Sequence, residues 1–300
     1  MSYNVKKLNI SKMRLWMKNL GLVFKTMRKS RKLSLAEATG GLFSISMLSR
    51  FENGQAEMSA EKLRECLENI YLQMGEFEFM VSEFQPSEIE ELHWKLTKYR
   101  SPLQKQALEM LLAEQKQKFL TSSKKQFYRL NTIWIKAVLA ASIDEYEVPK
   151  EDIDFLTNYL FSTEIWARYE LLLFSETAHL FDSQLYLSYC QEMLKRSSFF
   201  RHNNLNDNVI HTMLVNGLFH ATKEHNFLES TIFEHLLSEH FADTRDAFMR
   251  IMEKIARGYH QLEEGNSRGK QEIEQGILIF EQLGYLEQVN YFKEVFKDKL

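Results

Sequence analysis

The sequence predicts an all-α protein in which a small N-terminal helical domain precedes a long array of helical hairpins. Only three prolines and eleven glycines occur among 300 residues, so few positions interrupt a helix. Apolar residues recur at helical spacing along most of the chain, whereas β-branched runs with a period of two are scarce. Hydrophobic residues make up 44% of the chain, which is enough to form a core. No strand-rich domain is expected.

Residues 44–54 predict a short amphipathic helix with defined ends. Ser44 is a suitable N-cap, and Gly54 suits the position just beyond the C-terminal end. At about 100° per residue, the apolar side carries Ser44, Met47, Leu48 and Phe51, and the polar side carries Ser46, Ser49, Arg50 and Asn53. This polar side is typical of helices that read DNA bases. The segment is therefore predicted to be the second helix of a helix-turn-helix.

The flanking segments fit the same motif. Apolar residues with helical spacing predict a helix before it, at Leu20, Val23 and Met27. Ser34 caps a short segment that stops at the glycine pair 40–41, and Ser59 begins another helix. The apolar positions of that last helix are Leu63, Cys66, Leu67 and Ile70. Together these elements predict a DNA-binding domain of about five helices over residues 18–75.

The run LSLAEATGGLFSISMLSRFENG, residues 33–54, resembles the Cro/repressor-type helix-turn-helix. In detail it is similar to that of the Rgg (GadR/MutR) regulators of Gram-positive bacteria. In the wider repressor class, an Arg of the first helix pairs with a Glu near the end of the recognition helix. Carried over by spacing, the resemblance implies a structural salt bridge between Arg28 and Glu52.

Specific roles follow for the polar and basic residues around this motif. We expect Ser46 and Arg50 to reach base edges, with Arg50 suited to guanine. Ser49 and Asn53 would contact bases or phosphates. The DNA backbone contacts would come from Lys25, Arg31 and Lys32. An alternative for Arg50 is an ion pair with Glu57 that only caps the helix.

Charge is unevenly distributed along the chain. Residues 1–75 contain 13 Lys and Arg against 6 Asp and Glu, a balance of +7. The whole-chain totals are 38 and 41, so the remainder contains 25 and 35, a balance of −10. A basic N-terminal region favours binding to phosphates. The alternative, that these charges are merely solvated, is weakened because they coincide with the helix-turn-helix.

Residues 1–17 form an N-terminal extension with two interpretations. They carry Lys6, Lys7, Lys12 and Arg14, and could be a basic arm that touches DNA. The other interpretation, which we favour, is that Met17 is the functional first residue.

Beyond the first domain, a connecting segment at residues 76–87 precedes a repeat domain at residues 88–300. The segment is aromatic and poor in glycine, so we expect it to pack rather than act as a flexible linker. The repeat domain contains eleven helix-length apolar blocks, which pair into hairpins of tetratricopeptide-repeat size. Small and aromatic residues would allow close helix crossing, as at Ala256, Gly258, Tyr259, Gly276 and Phe280. A tetratricopeptide-like superhelix with a concave face is expected.

The Rgg resemblance continues at LTNYLFS, residues 156–162, and WARYELLLF, residues 166–174. It implies a homodimer whose repeat domain binds a short hydrophobic peptide pheromone, as in quorum sensing. Some members carry a Cys that links the two DNA-binding domains at the position of Ala60, so that dimer contact would be non-covalent here.

Five residues are candidates for peptide binding. Arg168 lies in the second family-like segment, and its guanidinium suits a terminal carboxylate. Asn208 and Asn216 would hold peptide amides, with Phe219 and Tyr259 as an apolar wall. The alternative is that these residues serve repeat packing or are ordinary surface.

Nothing in the sequence indicates an enzyme. The nine histidines lack metal-ligand spacing, and no catalytic constellation or cofactor motif stands out. The two cysteines, Cys66 and Cys190, lie far apart in helical patterns, and no apolar stretch approaches ~18 residues. We therefore expect a cytoplasmic protein with no catalytic residue, metal, cofactor or membrane partner.

Two other functions are compatible with this organisation. A helical-repeat scaffold could use the first domain only to target DNA. The other function is that of a phage-type repressor without a small ligand. Such a repressor needs only a short dimerisation domain, so the long repeat domain of this chain argues against it.

Overall fold

The computed structural model describes residues 19–100, 102–143, 145–196 and 204–300. Within these ranges the chain forms sixteen α-helices and two short 3₁₀ helices, with no β-strand. The predicted all-α fold class is confirmed. The N-terminal extension, residues 1–17, lies outside the described residues. Among the described helices, none is long and apolar enough to cross a membrane.

The chain divides into two compact units, with the boundary in the sequence between Leu92 and His93. From residue 19 onward, the first unit contains five complete helices: α1 (Leu20–Ser30), α2 (Leu35–Thr39), α3 (Ile45–Glu52), α4 (Ala60–Asn69) and α5 (Met74–Val81). Helix α6 (Glu88–Lys98) includes the point of division.

The helix ends of the first unit are set by side-chain caps. Ser34 and Glu37 form a capping box at the start of α2. The side-chain oxygens of Ser44 and Ser59 accept hydrogen bonds from backbone N–H groups at the starts of α3 and α4. Gly40 ends α2 in the left-handed region, with φ of 58°. These caps fix where α3 begins and therefore which of its residues face outward.

The core of the first unit lies between all five helices. Its fully buried side chains include Phe24, Leu48, Leu67 and Ile70. Phe77 of α5 belongs to the same cluster, with 2% of its surface exposed. The residues predicted to connect the domains thus begin as a helix packed on the first unit, and this unit extends past residue 75.

The second unit contains paired helices from α7 onward. Their bounds are α7 (Lys105–Thr121), α8 (Lys125–Ser142), α9 (Lys150–Ser162), α10 (Arg168–Glu176), α11 (Ser183–Arg196), α12 (Asn204–Lys223), α13 (Phe227–Phe241), α14 (Ala247–Glu263), α15 (Arg268–Gln282) and α16 (Leu286–Val295). Alternate helices pack in series, since α8 contacts α10, α10 contacts α12 and α12 contacts α14. The pairs α7–α8, α12–α13 and α14–α15 are antiparallel neighbours in sequence and also pack together. This is the organisation of a helical-repeat domain.

Glycines allow the closest helix crossings. A Cβ on Gly269 of α15 would lie 2.3 Å from the carbonyl oxygen of Gly258 on α14. A Cβ on Gly276 would lie 2.4 Å from the Ile255 side chain. Neither position has room for a larger residue, so α14 and α15 meet backbone to backbone.

A partly buried polar network joins α13 and α14. Arg257 donates hydrogen bonds from Nε to Glu253 and from a terminal nitrogen to the Ser238 hydroxyl, and it forms an ion pair with Glu234. Glu234 Oε1 also lies 3.0 Å from Nδ1 of the buried His260. The two buried members, Glu253 and His260, each lie beside a charged partner, as a buried ionisable group requires.

Candidate functional site

Helix α3 presents one polar face to solvent and packs the other on the core. Leu48, Phe51 and Glu52 are buried, whereas Ser46 and Arg50 are exposed and Ser49 is half-buried. Gly54 follows the C-cap Asn53 with φ of 69°, a conformation that favours glycine. The short helix is therefore held at both ends, with its serine and arginine side chains free to meet a ligand.

Arg28 and Glu52 lock α1 against the opposite side of α3. Nε of Arg28 lies 2.6 Å from Oε1 of Glu52, and a terminal nitrogen lies 2.7 Å from Oε2. The remaining terminal nitrogen donates to the carbonyl oxygen of Leu33 at 2.6 Å. Both side chains are buried, and the hydrogen bond from Arg28 to Glu52 raises the pKa of Arg28 above its ordinary value. Since only 8% and 2% of the two side chains are exposed, the ion pair lies almost entirely inside the first unit.

The residues predicted to contact the DNA backbone differ in their surroundings. Nζ of Lys25 donates to Oδ1 of Asn53 at 2.6 Å, so these two candidates are partners of each other. Arg31 is half-buried and donates to the Met27 carbonyl oxygen at 3.3 Å. Lys32 is exposed just after α1, in the left-handed region with φ of 58°. Lys32 is thus the most accessible of the three cations.

Arg50 has no ion pair with Glu57. Among the residues that the structure describes, no carboxylate lies within 4.0 Å of the Arg50 guanidinium. Both side chains instead line an open cleft, together with residues that the sequence analysis did not assign to the site. The additional polar residues are Ser59 and Lys62, both at the start of α4.

The predicted peptide residues lie on three helices of the second unit. Asn208, Asn216 and Phe219 share one side of α12 at helical spacing, with Asn208 exposed and Asn216 half-buried. Tyr259 lies on α14, with its ring centroid 6.4 Å from that of Phe219. Arg168 is the half-buried first residue of α10. The structure thus brings the two aromatic residues together and shows α10 packing against α12.

The two aromatic candidates also pack against the last helix. The Phe219 ring stacks on Phe292 at 6.0 Å, and the Tyr259 ring lies 5.3 Å from that of Phe296. Both candidates are half-buried and border an apolar cluster of α14, α15 and α16. Their inner sides therefore stabilise the C-terminal repeats, and only their outer sides remain for a ligand.

Across the described part of the chain, no group of three or more His, Cys, Asp or Glu side chains is placed to hold a metal ion. The two cysteines are buried and unlinked.

A family model matches the second unit. Residues 110–294, more than half of the chain, match the model described as the HTH-type transcriptional regulator Rgg, C-terminal domain. The chain belongs to the Rgg family. The resemblance inferred from residues 33–54 and from the central segments is confirmed, and the family is one of transcriptional regulators.

Solved structures share the Rgg fold over almost the whole chain. The crystal structure of the Streptococcus dysgalactiae SHP pheromone receptor Rgg2 has a TM-score of 0.78 at 22% identity, covering 94% of this chain and 100% of the receptor. A putative transcriptional regulator from Listeria monocytogenes has a TM-score of 0.76 at 19% identity, covering 93% and 96%. The PrgX/cCF10 complex has a TM-score of 0.69 at 15% identity, covering 94% and 100%. The Rgg fold therefore extends through both units.

Proposed function

We propose that this Rgg-family regulator binds DNA sequence-specifically as a homodimer and that its repeat domain senses a short hydrophobic peptide. The observation that carries the DNA-binding part is the exposed face of α3. It presents Ser46 and Arg50, while the buried face of the same helix is fixed by Glu52. The proposed role places the protein in the cytoplasm and assigns it no catalytic step or cofactor.

In this proposal each protomer inserts α3 into a major groove. Arg50 donates to a guanine edge, which offers two acceptors at the right spacing for a guanidinium, and Ser46 contacts a neighbouring base. Ser49 and Asn53 contact bases or phosphates from the sides of the helix. Lys25, Arg31 and Lys32 hold the backbone. Because Asn53 is bonded to Lys25, these two would approach the DNA together.

Binding of the full chain to duplexes tests the base-reading role. Sites enriched from a random duplex library give a preferred sequence, and affinities are then measured for that sequence and for scrambled DNA. We expect Arg50→Ala to cost ~1–3 kcal/mol on the preferred site and to relax the sequence preference. The exposed Lys32 provides the matched control, since Lys32→Ala should weaken both duplexes alike. Equal losses on both duplexes for Arg50→Ala would rule out base reading by this residue.

Two relatives support the peptide-sensing part. One is described as an SHP pheromone receptor and another was solved as a complex with cCF10. In this chain, Arg168 would anchor the peptide carboxylate, with amide contacts from Asn208 and Asn216 and an apolar wall at Phe219 and Tyr259. These five residues lie on α10, α12 and α14. Helix α12 packs against both of the other two. Peptide binding would act by favouring one arrangement of the dimer over another.

Mass spectrometry of material that co-purifies with the full chain tests this part. A short peptide is expected, whereas a stoichiometric protein would support the scaffold alternative instead. A synthetic copy of the captured peptide is then titrated against the chain and its Arg168→Ala variant. Unchanged affinity in the variant would remove the anchor role of Arg168.

A further inference from the structure

An open cleft separates the N-terminal half of α3 from the start of α4. Its volume is about 330 Å³. The polar and charged residues that line it are Ser44, Ser46, Arg50, Glu57, Ser59 and Lys62. Hydroxyl groups, a guanidinium and an ammonium therefore converge on one space, and such donors suit the oxygens of a phosphodiester.

Lys62 is held in this cleft by a weak hydrogen bond from its ammonium group to a sulfur and by a cation–π contact. Its Nζ lies 3.5 Å from the Met47 sulfur and 5.8 Å from the centroid of the Phe43 ring. The residue is half-buried, and no described carboxylate lies within 4.0 Å of its ammonium group. An ammonium group that is partly shielded from water and has no carboxylate beside it attracts an anion strongly.

The position of Lys62 within α4 adds to this potential. It is the third residue of the helix, its backbone N–H donates to the hydroxyl of the N-cap Ser59, and Glu61 lies in the same turn. The N-terminal end of a helix carries a partial positive charge, so an acidic residue would be the stabilising choice there. The positive charge of Lys62 has the same sign as that partial charge, so the two repel each other. This repulsion lowers the stability of the free protein, and a bound anion would relieve it.

Glu57 is the one carboxylate among the residues that line the cleft. Its side chain is exposed, and no described cation lies within 4.0 Å of it. A phosphate entering the cleft is attracted by Lys62 and repelled by Glu57. The balance depends on where along the cleft the phosphate sits, so the position of the DNA backbone relative to α3 changes the binding energy.

We propose that this cleft binds one phosphodiester of the DNA backbone. Lys62 is the contact that positions α3, and Glu57 repels the phosphate when the backbone lies elsewhere along the cleft. The inference rests on the proposed DNA-binding function and adds two residues to it. Arg50 lies on the wall of the same cleft, so a phosphate held by Lys62 sets how far Arg50 reaches into the groove.

Salt titrations of DNA binding by the full chain test the role of Lys62. Affinity for a random-sequence duplex is measured from about 0.05 to 0.3 M salt for the unmodified chain, Lys62→Gln and Arg64→Gln. Arg64 is the matched control because it lies two residues along α4, does not line the cleft and pairs with Glu68 at 3.8 Å. Both variants lose one positive charge from the same helix.

Each phosphate contact adds about 0.9 to the salt slope, and a homodimer carries two Lys62 contacts. Lys62→Gln should therefore reduce the slope by about 1.8 and weaken binding about 25-fold to 100-fold near 0.1 M salt. Arg64→Gln should leave both quantities nearly unchanged. Equal losses in the two variants would show that only total charge matters and would overturn the site. A chain that binds no duplex even at low salt would refute the proposed function itself, together with this inference.

Glu57→Gln provides a second test with the opposite sign. The variant should bind the random duplex about threefold more tightly while gaining less on the preferred sequence, so its specificity ratio falls. The same gain on both duplexes would contradict a role in discriminating against misplaced backbones. Hydrogen exchange of α4 in each variant confirms that the fold is retained.

Discussion

Glu253 of α14 faces His211 of α12 in the interior of the repeat domain, with Oε2 of the glutamate 3.6 Å from Nε2 of the histidine. Both side chains are almost fully buried. Desolvation by burial raises the pKa of Glu253, but His211 and Arg257 more than offset this, and the pKa lies below its ordinary value. The ionised glutamate is therefore the form that the folded state prefers.

The pH dependence of stability should reveal this preference. A carboxyl whose folded pKa is lowered stabilises the fold above its unfolded pKa, and this contribution is lost as pH falls through the folded value. We expect Glu253→Gln to lower the free energy of unfolding by ~1–3 kcal/mol at pH 7, with the deficit shrinking as pH falls below about 4.5. Urea unfolding followed by tryptophan fluorescence measures it. A loss of unfolding free energy that stays constant from pH 7 to pH 3.5 would contradict an ionised Glu253. The control is Glu239→Gln, which removes an exposed carboxylate.

Removing Arg28 should loosen the whole first unit. Arg28→Ala leaves Glu52 buried without its counter-ion, a change that typically costs 3–5 kcal/mol. Hydrogen exchange of the α3 amides in the full chain measures the loss of protection. The double variant Arg28→Met with Glu52→Leu should recover part of it, because no charge is then left buried. Retained protection in Arg28→Ala would show that the pair contributes little.

Gly21 and Gly75 should respond oppositely to the same substitution. A Cβ on Gly21 would lie 1.8 Å from the Phe51 carbonyl oxygen, so Gly21→Ala forces α1 away from α3 at a cost of ~1–3 kcal/mol. A Cβ on Gly75 of α5 meets nothing within 4 Å, and Gly75→Ala should stabilise that helix by ~0.5–1 kcal/mol. Protection of the α1 and α5 amides against exchange distinguishes the two. Similar effects at both sites would refute the close approach of α1 and α3.

The two cysteines should be inert in the folded protein. Burial raises the pKa of Cys66 to about 12, and burial also raises the pKa of Cys190. The thiolate fraction of Cys66 at pH 8 is then on the order of 10⁻⁴, and neither sulfur is accessible. Iodoacetamide at pH 8, followed by mass spectrometry, should label both residues only in denaturant. Rapid labelling of the native chain would contradict their burial.

Much of the fold follows from local signals in the sequence. Ser34, Ser44 and Ser59 each cap the helix that their position predicts, because N-cap preference is a local property. The eleven apolar blocks of the repeat domain predicted at residues 88–300 each correspond to a helix, α6 to α16, with ends shifted by a few residues. The sequence does not predict helix α5, because its apolar residues lie around the whole helix and not on one face, so that only tertiary packing reveals Phe77 as core.

The candidate site was less accessible to sequence reasoning. Lys62 falls on the solvent side of α4, where one lysine is indistinguishable from another until the cleft with α3 is seen. The bond between Lys25 and Asn53 joins residues 28 positions apart and has no local signature. The wall role of Phe219 and Tyr259 stays a prediction, and their contacts with Phe292 and Phe296 depend on where the last helix folds back.

Lys25 and Arg28 tether α1 to α3 at two points, one at Asn53 and one at Glu52. Because of these two contacts, α3 cannot rotate about its own axis relative to α1 unless the buried ion pair breaks. A regulatory signal is therefore expected to move α1 and α3 together as one rigid body. The base preference of α3 would stay the same. Only the spacing of the two DNA-binding domains of a dimer, relative to the helical repeat of the duplex, would change.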